Sequence, residues 1–298
     1  MQARLINGTL LAQEIRAKVA EGVAELKSRY NLVPGLAAVL VGEDPPSVMY
    51  VGLKQKACSE AGMFSDVFRL AADADQNSLL ELIGRLNRDP KFHGILVQLP
   101  LPDHISVKAT IAAVDPSKDI EGLHPVNMGR LVLGDPLFVP CAASSIQRMI
   151  LASGHDPEGK HVVICGNSLI VGAPTAILLM QNKPGANATV TVCHEKTRNL
   201  AAMTRQADIL VSAVGKAGLI TADMVKKGVV VIDVGTNRID DPTSQRGYRV
   251  VGDVDFEKVA EKAAAITPVP GGVGPMTIAM LLSNTLKAAQ MKAQYITG

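Results

Sequence analysis

The sequence predicts an α/β protein of two doubly wound domains, and three observations carry that expectation. Strand-length runs that are apolar throughout recur along the chain, as strands buried on both faces of a parallel sheet require. Segments of helical apolar period lie between those runs. Residues 115–145, rich in Pro, Gly and Asp and without clear periodicity, separate the alternation into two blocks. With 298 residues the chain is long enough for both.

The elements follow in order. Thr9–Tyr30 places Leu11, Ile15, Val19, Val23 and Leu26 on one stripe and reads as a helix. "GLAAVLVG" (35–42) is a buried strand, followed by helices at about 46–62 and 77–88, then by the strand "GILVQL" (94–99). In the second block the strands are "HVVICG" (161–166), "ATVTVC" (188–193), "DILVSAVG" (208–215) and "VVVIDVG" (229–235). Their helices fall at about 170–182, 199–207 and 256–264, and a long last helix runs from about Pro275 to Tyr295.

Composition narrows the class. Apolar residues make up 47% and aromatic ones only 3%, so the core is built from Val, Leu, Ile, Ala and Met. The net charge of +2, with both signs dispersed, argues against a nucleic-acid or membrane surface as the main partner. Cys58, Cys141, Cys165 and Cys193 are too widely spaced to suggest a zinc site or a disulfide framework, and no metal is expected. The opening residues are interrupted by charges, and no window holds eighteen consecutive apolar residues. The expectation is a soluble, cytoplasmic protein.

Candidate site residues cluster where strands end. In "ICGNSLIVGAP", Gly166 breaks a buried strand, and Gly172 and Pro174 suit close packing and a helix start. Such a turn presents free helix N–H groups to a phosphate, and Ser168 can add a hydroxyl donor. Spacing alone is met equally well by a plain tight turn. Two later strands, "SAVGKAG" with Gly215 and "DVGTN" with Thr236, also finish in glycine turns at the carboxyl edge, where α/β sheets bind ligands. Past the next strand lies Glu195, with Asn167 in the turn itself. A carboxylate there suits a ribose diol and repels a 2′-phosphate, which favours NAD over NADP, although Lys196 and Arg198 lie close.

In the first block Tyr50 and Lys54 are four apart on a helix that carries Ser47 near its start. By spacing alone a solvated lysine with an aromatic neighbour explains the pair better, and Lys56 reads as solvated. Gln98 is a polar residue at the mouth of an apolar strand, between Val97 and Leu99, and a buried amide needs partners. In "KDIEGLHP" the side chains of Asp119 and Glu121 point opposite ways if the segment is extended. "ITPVPGGVGPMT" (266–277) brings bare backbone at Pro270, Gly271 and Gly272 within reach of a flat ligand.

Taken together, "YVGLKQKA", "GILVQLPLP", "KDIEGLHPVNMGRL", "GNSLIVGAP", "ATVTVCH", "VVVIDVG" and "ITPVPGGVGPMT" resemble the bifunctional methylenetetrahydrofolate dehydrogenase/methenyltetrahydrofolate cyclohydrolase family, in order and nearly end to end. The resemblance implies a folate-binding catalytic domain (1–140 with the returning C-terminal helix in 275–298) and a Rossmann-like NAD(P)-binding domain (141–274). It implies a homodimer that oxidises 5,10-methylenetetrahydrofolate and hydrolyses the methenyl product to 10-formyltetrahydrofolate. The family's essential lysine maps onto Lys54, its aromatic partner onto Tyr50 and its glutamine onto Gln98. Ser47, Val97, Leu99, Glu121, Pro270, Gly271 and Gly272 would then face the folate. Gly166, Asn167, Ser168, Gly172, Glu195, Gly215 and Thr236 would face the cofactor.

Three departures stand out. The family's pterin-binding aspartate is Glu121, one methylene longer. Its P-C-T-P-x-G run is "PCAASS" (140–145). The residues that handle a 2′-phosphate are replaced by Asn167 and Glu195. Two alternatives therefore stay open: a folate- or nucleotide-binding paralogue with weak or no catalysis, and another two-domain NAD(P) dehydrogenase. Lys54 with Gln98 speaks against the first, which has no chemical need for the pair. "VPGGVGP" speaks against the second.

Overall fold

The computed structural model describes residues 3–244 and 247–297, apart from the side chains of 295–297. In chain order its elements begin with β1 (Arg4–Leu5), α1 (Gly8–Tyr30), β2 (Gly35–Val41), α2 (Pro45–Glu60) and β3 (Phe64–Leu70). Then come α3 (Gln76–Arg88), β4 (Gly94–Val97), α4 (Val107–Ala113), α5 (Pro125–Val132) and α6 (Cys141–Ala152). The second half holds β5 (His161–Cys165), α7 (Gly172–Leu179), β6 (Thr189–Cys193), α8 (Leu200–Thr204), β7 (Ile209–Ser212) and β8 (Val230–Asp233). The antiparallel hairpin β9 (Asn237–Asp240) and β10 (Tyr248–Val251) follows, with α9 (Phe256–Ala260), β11 (Ala265–Ile266) and α10 (Val273–Thr297). Among the described residues no helix is long and apolar enough to cross a membrane.

The chain divides into two compact units. The first runs from Gln13 to Cys141 and takes in the C-terminal stretch from Ile278. Its three-stranded parallel sheet has the order β3-β2-β4. Every residue of β2 is buried, which is what its unbroken apolar run demands. On α1, Val19, Val23 and Leu26 turn inward, and on α3, Leu79, Leu82, Ile83 and Leu86 form the i, i+3, i+4, i+7 stripe of a half-buried helix. From α10, Leu281, Leu282 and Ala289 join the α1 residues and Leu36, Leu40 and Val51 in one core, so the last helix packs within the first unit.

The second unit comprises the first twelve residues and Ala142–Thr277. Its six strands are parallel in the order β1-β11-β8-β7-β5-β6. The chain leaves β5 for β6 on one side and returns to β7 on the other, which makes the carboxyl ends of β5 and β7 the switch point where Rossmann-type sheets take ligands. The N-terminal segment differs from the sequence expectation, which gave residues 1–140 to the first domain. β1 pairs with β11 instead, so this segment completes the sheet of the second unit.

Other differences have local causes. The edge strand β3, "FSDVFRL", alternates exposed and half-buried positions and lacks the continuous apolar run that marks a covered strand. The 115–145 stretch is no plain loop. It holds α5, which His124 caps by accepting from the Val126 N–H at 3.0 Å, and it ends in α6.

Candidate active site

In the first unit the site is built on the start of α2 and the end of β4. Asp44 caps α2, accepting from the Ser47 N–H at 3.0 Å and from the Ser47 hydroxyl at 2.7 Å. Ser47, expected to face substrate, is thus buried with its hydroxyl proton given to the cap. Two turns on, the half-buried Lys54 donates from Nζ to Gln98 Oε1 at 3.0 Å, and Tyr50, also half-buried, precedes it by one turn. Gln98 extends the β4 ladder by donating its N–H to Val39 O at 2.9 Å, and its Nε2 donates to Leu99 O at 2.6 Å. Lys56 points outward into an exposed pair with Glu60 at 3.8 Å.

The two acids of "KDIEG" part company. Asp119 is buried and accepts from the His124 N–H at 2.7 Å and from Asn127 Nδ2 at 2.8 Å, which ties down the start of α5. Glu121 has no such structural task among these bonds. Burial pushes its carboxyl above the ordinary range, the Lys54 charge pulls it back, and the neighbouring Asp119 pushes it up again. Glu121, Val97 and Leu99 line a cavity of about 20 Å³, room for a single water. The structure therefore brings Lys54, Gln98 and Glu121 within electrostatic reach of one another.

Asn284 on α10 is a contributor that sequence reasoning missed. Its Nδ2 donates to Ile120 O at 2.8 Å and to Val139 O at 3.3 Å, so the last helix holds the backbone next to Glu121. The available signal was a lone buried amide in the apolar run "AMLLSNTL".

In the second unit the turn after β5 is cut to the shape of bare backbone. Gly166 has φ +113°, and a Cβ there would lie 2.2 Å from Ala213 O. A Cβ on Gly172 would lie 1.9 Å from Gly166 O. The exposed Ser168 accepts from the Val171 N–H at 3.1 Å, leaving its hydroxyl proton available, and Asn167 beside it is exposed. Gly215, at φ +68°, has open space where a Cβ would project, and Thr236 is exposed. This cradle at the switch point fits a dinucleotide: glycines allow close approach and helix N–H groups face an anion.

Glu195 lies two residues beyond β6 in a turn closed by the His194 N–H donating to Thr197 Oγ1 at 2.9 Å. Its side chain is 82% exposed and pairs with Lys196 at 3.4 Å. Pro270, Gly271 and Gly272 fall in the second unit rather than in the unit that carries Lys54. Gly271 O accepts from the Thr9 N–H at 3.1 Å, and a Cβ on Gly8 would lie 1.9 Å from Gly272 O, so this loop packs on the start of α1.

Comparison with known proteins matches both parts of the chain. The catalytic-domain model of the tetrahydrofolate dehydrogenase/cyclohydrolase family matches residues 6–121, and that family's NAD(P)-binding-domain model matches residues 140–293. The chain is 54% identical to the bifunctional protein FolD of Dehalococcoides mccartyi over 98% of its length and 99% of that relative. It is 53% identical to the bifunctional protein FolD of Moorella thermoacetica over 97% of its length and 100% of that relative. Among solved structures it is similar to the bifunctional FolD methylenetetrahydrofolate dehydrogenase/cyclohydrolase of Campylobacter jejuni, with 47% identity and a TM-score of 0.91, covering 97% of this chain and 99% of that one. The Trypanosoma brucei methylenetetrahydrofolate dehydrogenase-cyclohydrolase, complexed with NADP and an inhibitor, has 41% identity and a TM-score of 0.93, covering 98% and 99%.

Proposed function

The chain belongs to the tetrahydrofolate dehydrogenase/cyclohydrolase family, and we propose on that premise that it oxidises 5,10-methylenetetrahydrofolate and hydrolyses the methenyl product to 10-formyltetrahydrofolate. The observation that carries this reading is the Lys54 Nζ to Gln98 Oε1 contact beside the half-buried Glu121. A binding protein without chemistry has no use for a lysine held by a neutral amide next to a half-buried acid.

Gly166, Asn167, Ser168 and Gly172 would hold the dinucleotide, with Gly215 and Thr236 along its length. When bound, the nicotinamide supplies the hydride acceptor. Glu121 would grip the amino edge of the pterin through a charge-assisted pair. Val97, Leu99 and Tyr50 would offer apolar and aromatic surface to the flat rings. Water adding to the methenyl carbon must lose a proton, and Lys54 would take it as general base while Gln98 Oε1 keeps Nζ in place. No step calls for a metal. We read Glu195 as favouring NAD, and the enzyme as a cytoplasmic homodimer, as the family resemblance implies.

The test is methylenetetrahydrofolate oxidation with NAD and NADP in parallel, followed by methenyl hydrolysis without added cofactor. Both activities should be present in the wild type. Folate binding with neither activity would reduce the protein to a binding paralogue.

A further inference from the structure

Two buried acids in the second unit have no part in the chemistry above. Asp253, fully buried, accepts from three consecutive backbone N–H groups: Val214 at 2.8 Å, Gly215 at 3.3 Å and Lys216 at 3.0 Å. Ser212 Oγ at 3.3 Å and Asn237 Nδ2 at 2.9 Å also donate to it. Asp233, the last residue of β8, accepts from the N–H groups of Gly235 at 2.9 Å, Asp253 at 3.0 Å and Val254 at 3.0 Å. Its own N–H donates to Thr267 Oγ1 at 2.8 Å, at the start of the Pro-Gly-Gly loop.

The flanking glycines belong to the same device. A Cβ on Gly235 would lie 2.2 Å from Asp253 Oδ1, and one on Gly252 would lie 1.8 Å from Asp233 Oδ2. Side chains at 235 and 252 are therefore excluded by the carboxylates themselves. The pair ties together the turns that leave β7, β8 and β11 at the carboxyl edge of the sheet and the turn that leaves the hairpin strand β10.

Resting on the functional reading above, we propose that Asp253, backed by Asp233, is a positioning residue that assigns the 214–216 turn to the nicotinamide end of the cofactor, away from its phosphates. Successive backbone N–H groups converging on one point form a nest, and an empty nest draws a phosphate. Here the nest is filled from inside by the Asp253 carboxylate. The turn has no N–H groups left for a pyrophosphate, and the charge beneath it repels one. What it shows to a ligand is the open face above Gly215. The anion is left to the Gly166–Gly172 turn across the switch point, and β7 and β8 lie on the side of β5 away from β6, where the other half of a dinucleotide extends.

The experiment compares the full-length wild type with Asp253→Asn by calorimetric titration of NAD, NADP and ADP-ribose, which lacks the nicotinamide. The variant turns an amide N–H toward the nest and unseats the turn. NAD and NADP binding should weaken about tenfold, equal to about 1.4 kcal/mol, while ADP-ribose binding stays within about twofold and methenyl hydrolysis is unchanged. Ser212→Ala, which removes one donor and leaves the carboxylate, gives the same pattern at smaller size and serves if Asp253→Asn does not fold. Equal losses for all three ligands, or no loss for any, overturn the assignment. A wild type that binds none of them instead sinks the functional reading on which it rests.

Discussion

Lys54 Nζ and Gln98 Oε1 are 3.0 Å apart, and the amide that holds the lysine is itself oriented by its Nε2 bond to Leu99 O. Because Nε2 is committed to a carbonyl, the oxygen must face the lysine. The partner that fixes the lysine is thus neutral and accepts a hydrogen bond from the amine whether or not it carries its extra proton. A carboxylate in that place would bind the ammonium form preferentially and hold the proton on a base that has to exchange it.

Lys54→Met should fold, because the position is only half-buried and methionine retains most of the stem. It should bind folate yet hydrolyse the methenyl substrate at least about 100-fold more slowly, the scale of a lost general base. Stopped-flow absorbance of methenyl decay at fixed pH measures this. Hydrolysis within threefold of wild type would remove Lys54 from the proton transfer.

Gln98→Ala loosens the lysine and should cost less than losing it. Gln98→Glu tests the neutrality of the partner, since a carboxylate at this distance keeps the amine in its charged form. The rising limb of the pH–rate profile should move to higher pH in Gln98→Glu but not in Gln98→Ala. Coincident profiles for the two variants would show that the amide orients Lys54 without any dependence on its charge.

Glu121→Ala should weaken folate binding at least about tenfold, because the pterin donors it served lose a charged partner. Glu121→Asp should bind as well as wild type or better. Asp119 provides the contrast, since its carboxylate is spent on His124 and Asn127. Asp119→Asn should lower the urea midpoint and leave the folate affinity of the folded protein near wild type. Titration of both variants with a fluorescent folate separates the roles, and the opposite pattern would reassign the pterin to Asp119.

How much of this was legible in the sequence depends on what each residue has to do locally. The buried strands β2, β4, β5, β7 and β8 declare themselves because an apolar run has one stable use in an α/β chain. The edge strand β3 and the two-residue strands β1 and β11 do not, because their pairing is decided by partners distant in the chain. The same divide runs through the site. Lys54 and Gln98 are 44 positions apart, and their contact is invisible to any local pattern. Asp233 sits inside the run "VVVIDVG" and Asp253 in no element the sequence marks, and only the fold shows them buried and saturated.

Two buried groups give stability opposite dependences on pH. His93 accepts from the Gly35 N–H at 3.1 Å, and burial, with help from Lys118 and Lys292, lowers its pKa from 6.5 to about 4. The native state stays neutral there while the unfolded chain takes up a proton, so this stability is present above 6.5 and lost as pH falls toward 4. Over the full window that is up to about 3 kcal/mol. Burial raises Asp233 from 3.8 to about 6, so its contribution has the other sign and is lost as pH rises through that range. His93→Asn, which keeps an acceptor for Gly35, should lose less stability than wild type between pH 7 and pH 4.5, as read from urea midpoints. Equal losses in the two proteins would mean that the imidazole is not held neutral.

The NAD preference proposed above rests on Glu195. The acid sits where a ribose diol is gripped in dinucleotide sheets, but its exposure and its pairing with Lys196 weaken any repulsion of a 2′-phosphate. The expected preference for NAD over NADP is accordingly modest, at most about tenfold in kcat/KM, which is the factor that 1.4 kcal/mol gives. It should shrink as salt is raised from about 20 to about 300 mM, across the range where the Debye length passes through about 10 Å. Glu195→Ser removes the acid and frees Lys196, so relative NADP use should rise, and Glu195→Ser with Lys196→Ala should rise less. The measurement is kcat/KM for both cofactors across the two variants at both salt concentrations. A wild-type preference for NADP, or an unchanged ratio in Glu195→Ser, would show that the acid points away from the ribose and that the turn from Gly166 to Gly172 reads the cofactor through backbone alone.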